Sequence, residues 1–274
     1  MPETAKGLPS GPVTAMEPAQ AQELLDSSLS RPHEGRVYDY YLGGAANWAV
    51  DRAFAEKEID KVPDVPWAAR QNRRFLGRAV SHMVSSGIRQ FVDIGSGLPT
   101  EGNVHEVVDR EVGTEDAHVV YIDHDQVATA HAQLLLERAG KLHRHRPITG
   151  DLLDSEQLWK AVLSTGLIDP TRPVGLLMVA VLHFVPDDDV AHRAVSFWRN
   201  HVCSGSFLAI SHVAVGPSHK NVDTLKSAME DYKEQTTAPV VSRNREELAE
   251  FFDDWRIITP PGIVWTADWR IDGA

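Results

Sequence analysis

Hydrophobic residues between positions 67 and 84 recur at helical spacing: Trp67, Phe75, Leu76, Ala79, Val80, Met83 and Val84 predict one long helix that Gly87 ends. Upstream, Val37-Tyr38-Asp39-Tyr40-Tyr41-Leu42 is dense in aromatics and stops at Gly43-Gly44, and 47–59 resumes as a helix. Downstream the pattern changes to short apolar runs alternating with helical stretches. Strands are predicted at 90–94, 118–122, 147–149, 174–182 and 206–213, with helices at 103–112, 126–139, 155–163, 190–201, 221–234 and 243–252. The run 174–182 is almost continuously apolar, as a strand buried on both faces requires. Such alternation predicts a doubly wound, mostly parallel α/β sheet. Two further strands, at 256–258 and 263–266, bring the expected count to seven. The chain then divides into a flexible tail over 1–33, a helical N-terminal subdomain over 34–86 and an α/β core over 87–274.

The 274 residues are 42% hydrophobic and 24% charged, ordinary globular usage. A net charge of −12 argues against a broad grip on nucleic acid, which takes clustered Lys and Arg. Cys203 is the only cysteine, so neither an internal disulfide nor a four-thiolate zinc site can form. No apolar run reaches the roughly 20 residues of a membrane helix, and the expected compartment is the cytoplasm.

Candidate chemistry sits at the strand ends. Asp93-Ile94-Gly95-Ser96-Gly97 places two glycines where the chain must turn and a ligand must approach the backbone. Alone this is a weak signal, which a plain tight turn with no ligand also satisfies. Leu98-Pro99-Thr100 follows, so the third glycine of a dinucleotide fingerprint is missing, which counts against NAD. S-adenosylmethionine carries no phosphate, and its ammonium suits Asp93. Asp123 ends the second strand, where a carboxylate can accept from both ribose hydroxyls. Asp125 reads more simply as a helix N-cap. Asp151, after the third strand, either accepts from an adenine amino group or turns the chain.

These segments resemble class I methyltransferases. Arg36 to Gly44, Asn47, Asp51-Arg52, Gly97-Leu98-Pro99-Thr100 and Leu182-His183-Phe184-Val185-Pro186-Asp187-Asp188 are similar to an actinobacterial S-adenosyl methyltransferase family, formerly a domain of unknown function, from about residue 31 onward. The resemblance implies a Rossmann-like fold with S-adenosyl-L-methionine as cofactor. Asp93, Gly95, Ser96 and Gly97 would hold its methionine end, Asp123 the ribose, Asp151 and Leu152 the adenine, and His124 would lie against the adenine face. Pro99-Thr100 departs from the small residue usual in the wider class.

Methyl transfer is an in-line displacement that needs alignment and water exclusion more than any fixed residue. His183 is a base or orienting group, or equally a structural histidine. Tyr38 and Asn47 are lid candidates, although the stripe they share with Tyr40, Tyr41 and Trp48 also reads as core. Arg73 faces the cofactor carboxylate or shares a solvated face with Arg70, Arg74 and Arg78. His143 to Arg146 lacks a third ligand at metal spacing, and no metal is expected. Asp187 to Asp189 suit a helix start, and Cys203 reads as packing. The leading function is methyl transfer to a small-molecule acceptor, with 215–241 closing over it. An NAD-dependent oxidoreductase and a non-catalytic cofactor-binding regulator are the alternatives.

Overall fold

The computed structural model describes residues 30–99, 102–112, 117–215 and 222–270, so all but the last few residues of the expected tail lie outside it. Three helices come first: α1 (Glu34–Leu42), α2 (Ala49–Lys61) and α3 (Val65–Ser85). Polar chemistry writes the turn between α1 and α2. Gly43 ends α1 at φ +84°, and at Gly44 a Cβ would collide with the Asp39 carboxylate. That carboxylate accepts from Asn47 Nδ2 at 2.8 Å and from Ala46 N at 2.9 Å. Asp51, wholly buried, accepts from Arg36 Nε and Trp48 N at 2.8 Å each and from His33 N at 2.9 Å. Around these bonds Val37, Tyr41, Phe54, Ala55 and Ala69 form a small core of their own.

The remaining order is β1 (Gln90–Ile94), α4 (Val104–Val112), β2 (His118–Asp123), α5 (Gln126–Arg138), β3 (His145–Thr149), α6 (Ser155–Ser164), β4 (Gly175–Val179), a 3₁₀ turn (Leu182–Phe184), α7 (Asp188–Asn200), β5 (Phe207–Ser211), α8 (Val222–Gln235) and α9 (Arg245–Glu250). The strands form one sheet in the order β3-β2-β1-β4-β5, every pairing parallel. Period-two alternation sends Val92 and Ile94 to the α6 and α7 face, with Trp159 and Trp198, while Phe91 meets Phe75 to Val84 of α3 on the other.

Two expectations are corrected. The described sheet has five strands, not seven, because 256–258 and 263–266 form no strand. Pro260 and Pro261 lie between the two segments, in a stretch of turns. Arg78 of α3 instead takes the carbonyls of Thr266 and Trp269, and the Trp269 ring packs edge-on against Phe75 at 5.5 Å. The apolar run 174–182 also stops being strand at Val179, since Ala180 turns to φ +58° and the 3₁₀ turn follows. Burial, not extension, makes those last residues apolar.

Candidate active site

Chain order leaves β1 through β2 and β3 on one side and restarts with β4 and β5 on the other, so the crossovers part between β1 and β4. A crevice opens at the carboxyl ends of strands at such a point. Gly95 and Gly97 turn there at φ +73° and +66°, and a Cβ on Gly95 would overlap Val181 after β4. Across the crevice Ala180 holds its left-handed conformation while its amide donates to Ser211 Oγ at 3.0 Å. A non-glycine residue in that region is a local strain that the surrounding bonds must hold. The cavity at this crevice has a volume of about 1690 Å³ and reaches past the 3₁₀ turn to α8 and along β5. Small-ligand pockets run to roughly 300–1,000 Å³, so two molecules fit side by side.

The amides of the turn are already committed. Gly95 N and Ser96 N donate to Ile122 O at 2.8 and 3.0 Å, and Gly97 N donates to Asp123 Oδ2 at 2.7 Å. At the start of α4, Gly102 N and Asn103 N both donate to Glu106 Oε2. A diphosphate would meet carboxylates here instead of free N–H groups.

Carboxylates line the rim instead. Asp93 is 5% exposed, and burial pushes its pKa up to about 7, with the Arg73 charge pulling it down and Asp123 pushing it up. Asp123 is oriented by Gly97 N and by Asp125 N, the latter at 2.9 Å, yet burial still raises it. Asp151 lines the cleft beside Leu152 and also accepts from Leu153 N at 2.8 Å, so its turn-forming role is real without removing it from the site. Asp125 Oδ1 accepts from Val127 N, the expected N-cap.

At the mouth, three side chains that sequence reasoning did not assemble meet: His33, Glu34 and His124. His124 Nε2 lies 3.5 Å and His33 Nε2 3.6 Å from the same Glu34 oxygen, and Thr237 Oγ1 donates to the other. Burial would raise Glu34, but the His124 hydrogen bond, the His33 charge and Thr237 bring it down to about 2. Glu34 in turn lifts His124 to about 9. The three donor sets lie within 4.8 Å, a distance a metal could span. His33 Nδ1 accepts from Gly35 N at 3.2 Å, however, which puts the ring proton on Nε2 where a metal would need a lone pair. The Glu34–His124 ion pair, with the Nε2–H of His33 turned toward the same oxygen, therefore accounts for the cluster.

His183 lies 7% exposed in the 3₁₀ turn, its ring 4.3 Å from Phe184 and 5.5 Å from His212. Burial, with the His212 and Arg243 charges, lowers its pKa to about 3. Tyr38 and Arg73 line the cleft, and the Tyr38 hydroxyl donates to Ala69 O while accepting from Asn72 Nδ2. Asn47 does not line it, being spent on Asp39, Gly44 O and Arg52. His145 is buried against His105, far from any ligand cluster among the described residues. His212 was findable as the residue after β5, by the strand-end rule that gave Asp93 and Asp123. Glu34 has no such signal, since its partners come from distant parts of the chain.

The description S-adenosyl methyltransferase belongs to the family model that matches residues 18–274. A candidate methyltransferase from Thermobifida fusca YX is 32% identical, with a TM-score of 0.80 over 89% of this chain and 88% of that one. A DUF574 family protein from Streptomyces avermitilis MA-4680 is also 32% identical, with a TM-score of 0.80 over 88% and 89%. No curated protein matches. A match this long, carried by relatives that share the whole architecture, means that the chain belongs to the S-adenosyl methyltransferase family.

Proposed function

We propose that the chain binds S-adenosylmethionine across the carboxyl ends of β1, β2 and β3 and transfers its methyl group to a small-molecule acceptor. The observation that carries this reading is the convergence of Asp93, Asp123 and Asp151 with the Gly95–Gly97 turn on one crevice. The donor set fits the cofactor. Asp93 is a buried carboxylate that Arg73 only partly compensates, so an ammonium completes its charge balance. Asp123 keeps lone pairs for a ribose diol after taking two backbone N–H groups. Asp151 and Leu152 would meet the adenine, Ser96 would border the methionine end, and His124 would cover the adenine face. The bound cofactor supplies an electrophilic methyl group. The committed amides at Gly95, Ser96, Gly97, Gly102 and Asn103 speak against NAD.

The acceptor would lie between the 3₁₀ turn and α8, where Phe184, Leu225, Met229 and Tyr232 give an apolar wall. His183 with a pKa near 3 is too weak a base to deprotonate an ordinary hydroxyl at neutral pH. Its role is to accept a hydrogen bond from the acceptor and aim the nucleophile. Calorimetry with S-adenosylhomocysteine and with NADH tests the cofactor. The first should bind and the second should not, and Asp123→Ala should weaken S-adenosylhomocysteine by roughly 10- to 100-fold, the worth of losing charge-assisted hydrogen bonds. Binding of NADH alone, or an unchanged affinity in Asp123→Ala, overturns the assignment.

A further inference from the structure

Arg243 precedes α9 and lies outside the cleft lining, yet it is 3% exposed and touches both loops that form the acceptor side. Its Nη1 donates to Leu182 O at 3.0 Å and to His212 Nε2 at 2.9 Å, and its Nη2 donates to Val185 O at 2.8 Å. Nε donates to Asp188 Oδ1 at 2.9 Å, while the guanidinium stands 5.5 Å over the Phe251 ring. The backbone joins in, because Arg243 N donates to Val213 O and Val241 N donates to the carbonyl of His183 itself. One planar fork thus spans the two ends of the 3₁₀ turn and the residue after β5.

We propose that Arg243 is a positioning residue of the transfer site, fixing the Leu182–Val185 turn so that His183 faces the acceptor and locking His212 in a single tautomer. This rests on the methyl-transfer reading for its purpose, though not for its geometry. The tautomer follows from the bonds: a guanidinium can only donate, so His212 Nε2 must be bare, and its proton sits on Nδ1, 2.7 Å from Val213 O. His212 is therefore a spacer with no nitrogen free for chemistry, which leaves His183 as the histidine available to a substrate. The same cation helps keep both rings neutral. Burial comes first for each; His183 also faces His212, Arg243 and Glu34, and His212 faces Arg243 and Glu247.

The test is nitrogen NMR on the full chain with labelled histidines, with and without S-adenosylhomocysteine. In the wild type, His212 should show the Nδ1-protonated pattern, and neither His183 nor His212 should take up a proton above about pH 5. Arg243→Met should give mixed His212 tautomers and raise both midpoints by about one unit or more. Arg243→Lys retains the charge but has one nitrogen for four acceptors, so it should hold the fold while still losing the single tautomer. S-adenosylhomocysteine affinity should change less than about threefold in both, because Arg243 does not line the cleft. A wild-type His212 protonated on Nε2 overturns the proposal whatever the variants do, and so does a folded Lys or Met variant with unchanged tautomer and midpoints. Failure of the wild type to bind S-adenosylhomocysteine would instead strike the methyl-transfer reading and leave the ring signals to judge the clamp.

Discussion

Under the proposed cofactor reading, Asp93 is the residue whose protonation a bound ammonium would change. Its folded pKa of about 7 lies above the ordinary aspartate value of 3.8, so its contribution to stability is full below 3.8 and is lost as pH rises through 7. An ammonium beside it reverses that loss. Stabilisation by S-adenosylhomocysteine should accordingly grow from pH 6 to pH 8, measured as a melting shift, and Asp93→Asn should flatten the dependence. An equal shift at both pH values would remove Asp93 from the ammonium site. Gly95 carries a second prediction, because an added Cβ meets Val181 and the backbone stands at φ +73°. Gly95→Ala should cost roughly 2–4 kcal/mol from strain and overpacking together. The added Cβ would meet both Cγ2 and Cβ of Val181, so only Val181→Gly removes the packing part: measured in that background Gly95→Ala should cost the backbone part alone, and an undiminished cost would assign the whole to the backbone. Both residues were legible in the sequence, since a carboxylate and glycine at a strand end follow from topology alone. Ala180 was not, because nothing in its identity marks a left-handed conformation.

Among the elements, α1 was expected as an aromatic stripe and possible lid, and Tyr38 does line the cleft. What secures α1 there is the Glu34 cluster, which joins its first residue to the end of β2 through His124 and to the chain after α8 through Thr237. Periodicity could not reveal it, because the three partners are far apart in sequence. Glu34 contributes above about 4.5 and loses its effect as pH falls through 2; His124 contributes below about 6.5 and loses its effect as pH rises through 9. The pair is thus intact in mildly acid and neutral solution and opens in alkali. His124 is more than half exposed, so the pair is a local fastening with no large share in global stability. Glu34→Gln should drop the His124 midpoint from about 9 toward 6.5 in an NMR titration and speed release of S-adenosylhomocysteine. A midpoint that stays near 9 would mean that Asp123 and Asp125, not Glu34, hold the proton. The C-terminal strands show the opposite failure. The apolar residues at 256–258 and 263–266 form no strand; Arg78 of α3 takes the carbonyls of Thr266 and Trp269, and the Trp269 ring packs on Phe75, so an apolar run alone did not identify its partner.

At the scale of the molecule, the sequence suggests a helical subdomain over 34–86, and its last helix serves two cores. Helix α3 gives Ala69 to the N-terminal core and Phe75 to Val84 to the core beneath the sheet, and Tyr41 of α1 reaches Tyr232 of α8 at 3.1 Å. The N-terminal part of the family resemblance, Arg36 to Gly44 with Asn47 and Asp51-Arg52, is largely the polar staple of that N-terminal core, which is why Asn47 belongs to folding and not to the cleft. We therefore expect the described chain to melt as one cooperative unit, and Asp51 offers the decisive case. Asp51→Ala takes the buried carboxylate from Arg36 Nε and leaves two amides unserved, a loss of about 3–5 kcal/mol. If cap and sheet are one unit, a ligand bound in the cleft must resist the unfolding of both. Saturation with S-adenosylhomocysteine at about 100 times its Kd should then return about 2.7 kcal/mol to the variant. The fluorine NMR signal of Trp48 in fluorotryptophan-labelled protein, reporting the N-terminal helices, and far-ultraviolet circular dichroism, reporting the whole, should shift together. If the Trp48 transition of Asp51→Ala comes first and does not move with ligand, the N-terminal helices are an independent unit that folds without help from the cleft.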